Sequence, residues 1–121
     1  MSLKPLRNNQ SKTKNYETNR ADRSSFDELA MHNDICVIRF WAPWCAPCRM
    51  VAPTFEKVAE QLNDTVFFGE VNIDNHVKLA ARYGIRGIPT TIVLKNGEKI
   101  DSLIGMAPQS DFIALVERAM K

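Results

Sequence analysis

Hydrophobic residues fall into blocks whose spacing alternates between that of strands and that of helices. Two apolar runs, Ile35–Trp41 and residues 66–73, are rich in β-branched and aromatic residues, which is typical of strands covered on both faces. Between them, over residues 45–62, apolar residues recur at helical spacing, and Pro53 is expected to kink that helix. The pattern therefore predicts a strand–helix–strand unit at the centre of the chain.

Further elements are predicted on both sides of this unit. Ser24 and Ser25 favour the start of a helix that ends near Asn33, because serine hydroxyls accept hydrogen bonds from the first backbone N–H groups of a helix. Asn96 and Gly97 are typical of a two-residue hairpin turn. The other predicted elements are a helix over residues 77–83 ended by Gly84, strands over residues 90–95 and 99–104, and a helix over residues 110–120. This order predicts an α/β domain with a mixed central sheet of four or five strands and helices on both faces.

Composition divides the chain into a basic tail and one folded domain. The whole chain has 121 residues, of which 45% are hydrophobic and 25% charged, as expected for a single globular domain. Residues 1–23 carry six basic and two acidic side chains and few apolar ones. We therefore predict a flexible basic extension over residues 1–23, with at most a weak edge strand near Tyr16, and a folded domain over residues 24–121.

Charge and hydropathy also bear on partners and compartment. A basic tail can contact nucleic acid or an anionic membrane, but these basic residues are scattered, so the tail is expected to be solvated and to bind neither. No apolar run approaches the roughly 20 residues that span a bilayer. The start of the chain also has no apolar core of a signal peptide. A cytoplasmic protein is expected, and a periplasmic one only if a signal peptide has been removed.

Two cysteines carry the chemistry that the sequence predicts. Cys45 and Cys48 lie where a buried strand gives way to a long helix. A helix N-terminus stabilises an anion, so the thiol of Cys45 is expected to be partly ionised and nucleophilic at neutral pH. Cys48, one turn further along and less exposed, can then resolve a mixed disulfide formed by Cys45. The pair predicts thiol–disulfide exchange.

A metal site is the alternative interpretation of this pair. Tetrahedral zinc needs two further ligands, and the candidates Cys36, His32 and His76 do not have the required spacing. Cys36 lies inside an apolar strand, where an unreactive core residue is expected. We predict neither a metal nor a bound cofactor, and we assign no role to the two histidines.

Several motifs together resemble one family. The segment FWAPWCAPCR, followed by VNIDN, YGIRGIPT and KNG, is similar to the thioredoxins in order and spacing over residues 24–121. The resemblance implies a thioredoxin fold and a monomer that reduces disulfides in protein substrates. It also implies that Cys45 attacks, that Cys48 resolves, and that a flavin-dependent thioredoxin reductase supplies the electrons.

The resemblance further implies the surface that receives the substrate. Pro89 matches the family's cis-proline, whose loop lies against the cysteines and presents the backbone of the preceding residue as a strand-like edge to an extended chain. The implied apolar rim around the cysteines consists of Pro43, Trp44, Gly87, Ile88, Gly105 and Met106.

Two charges depart from the family pattern. Thioredoxins usually carry a buried aspartate where this chain has Arg39, and often a lysine where it has Glu70. We hypothesise a reversed ion pair beneath Cys48, because an unpaired buried charge would be strongly destabilising. The alternative is that Arg39 reaches solvent and never meets Glu70. Alanine at position 46, where the family generally has glycine, is expected to stiffen the loop.

The exchanged charges have a mechanistic consequence. A guanidinium cannot accept a proton, so Glu70 is the available acceptor for the proton of Cys48. A cation beneath Cys48 would favour its thiolate and make the disulfide more oxidising. Two other functions therefore stay open: a disulfide exchanger or oxidant of an exported compartment, and a thioredoxin-fold binding module in a larger complex. The presence of both Cys45 and Cys48 argues against the binding module.

Overall fold

The computed structural model describes residues 14–15, 26–27, 30–31 and 33–121. Its elements in chain order are β1 (Lys14–Asn15), β2 (Ile35–Trp41), α1 (Ala46–Leu62), β3 (Phe67–Asn72), α2 (Val77–Arg82), β4 (Thr90–Lys95), β5 (Glu98–Ile104) and α3 (Gln109–Ala119). Of the helix predicted before β2, Phe26, Asp27, Ala30 and Met31 are helical. Its predicted start at Ser24 lies outside the described residues.

The strands form one mixed sheet in the order β1-β3-β2-β4-β5. β1, β3 and β2 are parallel neighbours, whereas β4 is antiparallel to both β2 and β5. The central position of β2 explains its apolar sequence, because a strand with partners on both edges and helices on both faces meets no solvent. The predicted mixed sheet of four or five strands is confirmed.

The alternation of side chains along β2 divides the core into two layers. Cys36, Ile38 and Phe40 point into a cluster with Leu79 of α2 and with Phe26. Val37 points to the opposite face, into a cluster that both α1 and α3 supply. The residues of α1 and α3 in that second cluster are Val51, Phe55, Val58, Ala59, Phe112, Leu115, Val116 and Ala119. The prediction of helices on both faces of the sheet is therefore confirmed.

Two predicted turns are present. Gly84 follows α2 with φ +68°, the left-handed conformation that ends a helix. Asn96 and Gly97 have φ values of 53° and 84°, which suits the two-residue hairpin turn between β4 and β5. Because this turn is only two residues long, β5 begins at Glu98, one residue before the predicted start.

The first turn of α1 is the part of the fold that shapes the site. Cys45 is the N-cap of α1 and has an extended backbone, with φ −95° and ψ 108°, so the helix begins one residue after the predicted start. Pro47 lies in the first turn, where a backbone N–H has no partner within the helix. Pro53 lies inside α1, which continues to Leu62; the expected kink stays a prediction.

The prediction for the basic tail is only partly within the described residues. Lys14 and Asn15 pair in parallel with Gly69 and Glu70 at the edge of β3. Tyr16, near which a weak edge strand is predicted, lies outside the described residues. The division into an extension over residues 1–23 and a domain over residues 24–121 stays a prediction. In the described parts of the chain, no helix is long and apolar enough to cross a bilayer.

Candidate active site

The cysteine pair lies at the junction between β2 and α1. After β2 ends at Trp41, the chain makes a tight turn in which the N–H of Cys45 donates to the Ala42 carbonyl at 3.1 Å. Cys45 and Cys48 form a disulfide, with their Cα atoms 5.2 Å apart. One turn of helix at C-x-x-C spacing therefore brings the two sulfurs together.

The two cysteines differ in their access to solvent. Cys45 is 6% exposed, whereas Cys48 is fully buried at 0%. The Sγ atom of Cys45 accepts the N–H of Cys48 at 3.2 Å, in the position of a side-chain cap on α1. A charge on this sulfur would be stabilised by that N–H and by the positive end of the helix dipole.

The Pro89 loop reaches the cysteines from a distant part of the chain. The Ile88–Pro89 peptide bond is cis, and the Ile88 carbonyl oxygen lies 3.8 Å from Cys45 Sγ. Two hydrogen bonds hold the loop: Thr90 Oγ1 donates to the Gly87 carbonyl at 2.6 Å, and the N–H of Gly105 donates to the Pro89 carbonyl at 2.8 Å. The predicted site residues Gly87, Ile88 and Gly105 therefore lie with Pro89 in one hydrogen-bonded unit.

Three apolar residues of the predicted rim are exposed. Trp44 is 65% exposed and Met106 is 50% exposed, and Pro43 is also on the surface.

Trp44 donates its indole N–H to both carboxylate oxygens of Asp74 at 3.1 Å. Asp74, which follows β3, was not predicted. It could have been found from topology, because β2 and β3 are parallel and their carboxyl ends share one edge of the sheet.

A second unpredicted contact holds the loop before Cys45. Arg49 donates from Nη1 to the Pro43 carbonyl at 2.8 Å, so the first turn of α1 is tied back to the segment that precedes it. Nothing in the sequence around Arg49 distinguishes this residue from an ordinary exposed helix cation.

The predicted contact between Arg39 and Glu70 is present. These residues are register partners on β2 and β3, and Arg39 Nη2 donates to Glu70 Oε2 at 2.7 Å. The two side chains are only 4% and 11% exposed. The alternative, in which Arg39 reaches solvent, is not what the structure shows. Arg39 Nη1 also donates to the carbonyl of Cys48 at 3.1 Å, so the guanidinium contacts the backbone of Cys48.

Aromatic rings surround the buried guanidinium. Its Cζ lies 5.4 Å from the ring centroid of Phe55 and 5.8 Å from that of Trp41, distances at which a cation is attracted to the π face. Burial, and then the negative charge of Glu70, raise the pKa of Glu56 on α1, and Arg39 lowers it in part. The charges of the pair therefore act on the carboxyl group of Glu56 at the surface of α1.

The remaining candidate ligands do not assemble. Cys36 is buried and unpaired with another cysteine, and burial, followed by the charge of Asp34, raises its pKa to about 12. His76 precedes α2, and His32 lies outside the described residues. Within the described ranges, no group of three or more His, Cys, Asp or Glu side chains is placed to hold a metal.

Comparisons with known proteins agree with this geometry. The Thioredoxin family model matches residues 17–118. The thioredoxin of Porphyra purpurea is 43% identical over 88 residues, which are 72% of this chain and 82% of the relative. Thioredoxin 1 of Nostoc sp. is 38% identical over 78% of this chain and 90% of its own length. Other relatives include chloroplastic thioredoxins of Oryza sativa and Zea mays.

Solved structures show the same fold. The crystal structure of Malassezia sympodialis thioredoxin superimposes with a TM-score of 0.78 and 32% identity, covering 89% of this chain and 91% of that one. The fold and the Cys45–Cys48 disulfide define a protein thiol–disulfide oxidoreductase with a redox-active cysteine pair. The chain belongs to the thioredoxin family. Membership implies, in general terms, disulfide-containing substrates and a reductase partner.

Proposed function

We propose that Cys45 is the nucleophile and Cys48 the resolving cysteine in the reduction of protein disulfides. The observation that carries this assignment is the difference in access at the N-terminus of α1. Cys45 keeps 6% of its surface exposed and its sulfur occupies the cap position, whereas Cys48 has no exposed surface. Of the two cysteines, Cys45 is therefore the one that a disulfide in another protein can approach.

The reaction takes place in two exchange steps. The Cys45 thiolate attacks one sulfur of the substrate disulfide, that S–S bond breaks, and the departing sulfur leaves as a thiolate that takes up a proton. Cys48 then loses its proton and attacks Cys45 Sγ, which releases the second substrate thiol and leaves the Cys45–Cys48 disulfide. Two electrons pass to the substrate, and a reductase must return them. Glu70 is the proposed acceptor for the proton of Cys48, reached through a water, with Arg39 as its counter-ion.

The proposed substrate surface is built around the Pro89 loop. Its support is the position of the Ile88 carbonyl, 3.8 Å from Cys45 Sγ, where an extended substrate segment can pair with the backbone beside the reacting sulfur. Trp44, which is exposed next to Cys45 in the chain, supplies apolar contact area. The other proposed contacts are Pro43, Gly87, Gly105 and Met106.

The proposed setting is a cytoplasmic monomer that receives electrons from a flavin-dependent thioredoxin reductase and binds neither nucleic acid nor membrane. A reductive role supports this setting, since a dithiol donor needs a reducing compartment. The state of Cys45–Cys48 in intact cells, trapped by acid and alkylation, tests it. A mostly reduced pair is expected, and a fully oxidised pair would favour the exported disulfide exchanger or oxidant.

Three cysteine variants test the roles. With a disulfide-containing protein substrate, Cys48→Ser is expected to accumulate a mixed disulfide through Cys45, visible on a non-reducing gel. Cys45→Ser should form none and should lose turnover, and Cys36→Ser is the matched control with turnover near that of the parent. Trapping by Cys45→Ser instead would reverse the assignment. A parent protein that itself shows no turnover would favour the binding module.

A further inference from the structure

We propose that Arg39 is a positioning residue that biases the Cys45–Cys48 couple towards its reduced form, so that the disulfide is a stronger oxidant than it would be without this cation. The inference rests on the proposed function, because it concerns the same cysteine pair. Its basis is the order of three neighbouring groups. The guanidinium of Arg39 lies between Cys48 and the carboxylate of Glu70.

The contacts of Arg39 set this order. Nη1 donates to the Cys48 carbonyl at 3.1 Å, whereas Nη2 donates to Glu70 at 2.7 Å. The cation therefore lies between the resolving cysteine and the carboxylate. An ion pair has no net charge, but its field close by is that of the nearer charge. The backbone of Cys48 contacts the positive end of the pair.

Burial makes this field effective. The side chains of Arg39 and Glu70 are almost completely shielded from solvent, so water and salt screen the pair much less than they screen a surface pair. Phe55 and Trp41 flank the guanidinium, and Nε of Arg39 is buried without an acceptor among the described residues. A guanidinium cannot lose its proton in a protein, so the positive charge persists at every pH of interest.

A permanent cation acts differently on the two redox states. The disulfide carries no charge, whereas the dithiol can ionise, and a nearby cation stabilises a thiolate. Reduction by glutathione consumes two glutathione thiols and yields the dithiol and one glutathione disulfide, so stabilising the thiolate shifts this equilibrium towards the dithiol. The N-terminus of α1 acts in the same direction, and Arg39 adds to it from below.

The two members of the pair should then have opposite effects. Removing the cation with Arg39→Met is expected to lower the equilibrium constant for reduction by glutathione about tenfold, which is about 30 mV for a two-electron couple. Removing the distant anion with Glu70→Gln is expected to raise the constant by a few-fold, because the field of Arg39 is then less opposed. A role limited to packing predicts no such opposition of sign.

The experiment measures the oxidised and reduced fractions of the full chain in glutathione buffers at fixed pH. Arg39→Lys, which keeps the charge, should stay within about twofold of the parent. Arg82→Met is the matched control. Arg82, on α2, forms an exposed ion pair with Asp27 at 2.8 Å, so its replacement should leave the constant unchanged. If Arg39→Met does not fold, the Glu70→Gln variant decides the test: a higher equilibrium constant supports the inference, and an unchanged or lower one overturns it.

The outcomes separate this inference from the function on which it rests. A parent protein whose cysteines do not equilibrate with glutathione would contradict the proposed function. A parent that equilibrates, with Arg39→Met and Glu70→Gln both unchanged or both shifted in one direction, would overturn the inference alone. A lower constant for Arg39→Met and a higher constant for Glu70→Gln, with no effect of Arg82→Met, support it, and the reverse signs would overturn it.

Discussion

Replacing one member of the Arg39–Glu70 pair should be far more damaging to stability than replacing both. The single variants are Arg39→Met and Glu70→Met, and the double variant carries both changes. Methionine keeps an unbranched side chain of similar length and has no charge. Each single change leaves one ion buried without its partner, whereas the double change leaves none.

The contacts of the pair set the expected order of these losses. Breaking a buried ion pair typically costs about 3–5 kcal/mol in the free energy of unfolding, whereas replacing the whole pair is often neutral or stabilising. Glu70→Met should lie near the lower value, because the guanidinium keeps its bond to the Cys48 carbonyl and its two aromatic neighbours. Arg39→Met also loses that bond, worth about 1 kcal/mol, and should lie near the upper value. The double variant should lose less than about 2 kcal/mol.

Urea unfolding followed by far-UV circular dichroism measures these differences. All four proteins are oxidised so that the Cys45–Cys48 disulfide is intact, and the exposed pair of Arg82 and Asp27 supplies the control cycle. That surface pair should show a coupling energy below about 1 kcal/mol. Small and additive losses in the buried cycle, each below about 1 kcal/mol, would refute the view that the two charges depend on each other.

Two further predictions concern stability away from the cysteine pair. Burial raises the pKa of Cys36 from 9.0 to about 12, so above about pH 9 the unfolded chain releases its thiol proton before the folded chain does, and stability falls as pH rises. With the Cys45–Cys48 disulfide intact, Cys36→Ala should lose stability less steeply than the parent between pH 9 and about 10.5 in urea titrations. Equal slopes of stability against pH in the two proteins would contradict burial of the thiol. Gly84→Ala should cost about 1–2 kcal/mol, because alanine is strained at φ +68°. Gly87→Ala is its control, because Gly87 has no positive φ and no atom lies within 4 Å of the added methyl group. Equal losses of stability in thermal melts of the two variants would count against the conformational explanation.

Local patterns determined most of the secondary structure. The apolar run of β2 and the helical spacing of α1 predict those elements within one residue. Asn96-Gly97 predicts the hairpin turn, and Gly84 marks the end of α2. These features are readable because they depend on backbone preferences and periodicity over a few neighbouring residues. The cysteine pair belongs to the same group, since its spacing of one helical turn brings the sulfurs together without help from the rest of the fold.

The composition of the site beyond the cysteines was decided by tertiary structure. Arg39 is an anomalous charge in the sequence, but its partner is settled by the parallel register of β2 and β3, which places it opposite Glu70. The sequence identifies Trp44 as a rim residue through family resemblance, yet its hydrogen bond to Asp74 joins residues 30 positions apart. The order of strands in a sheet sets such contacts, and no local preference encodes that order.

The sequence by itself therefore determined the elements, the reactive pair and the family that both indicate. Only the folded sheet decided how much of each cysteine is exposed, which contacts Arg39 makes with Cys48 and Glu70, and how the Ile88 carbonyl comes to lie beside Cys45 from 43 positions away. The physical reason is that accessibility and electrostatic environment are properties of three-dimensional neighbours. In this chain those neighbours come from β2, β3 and the loop before β4, which meet at one edge of the sheet.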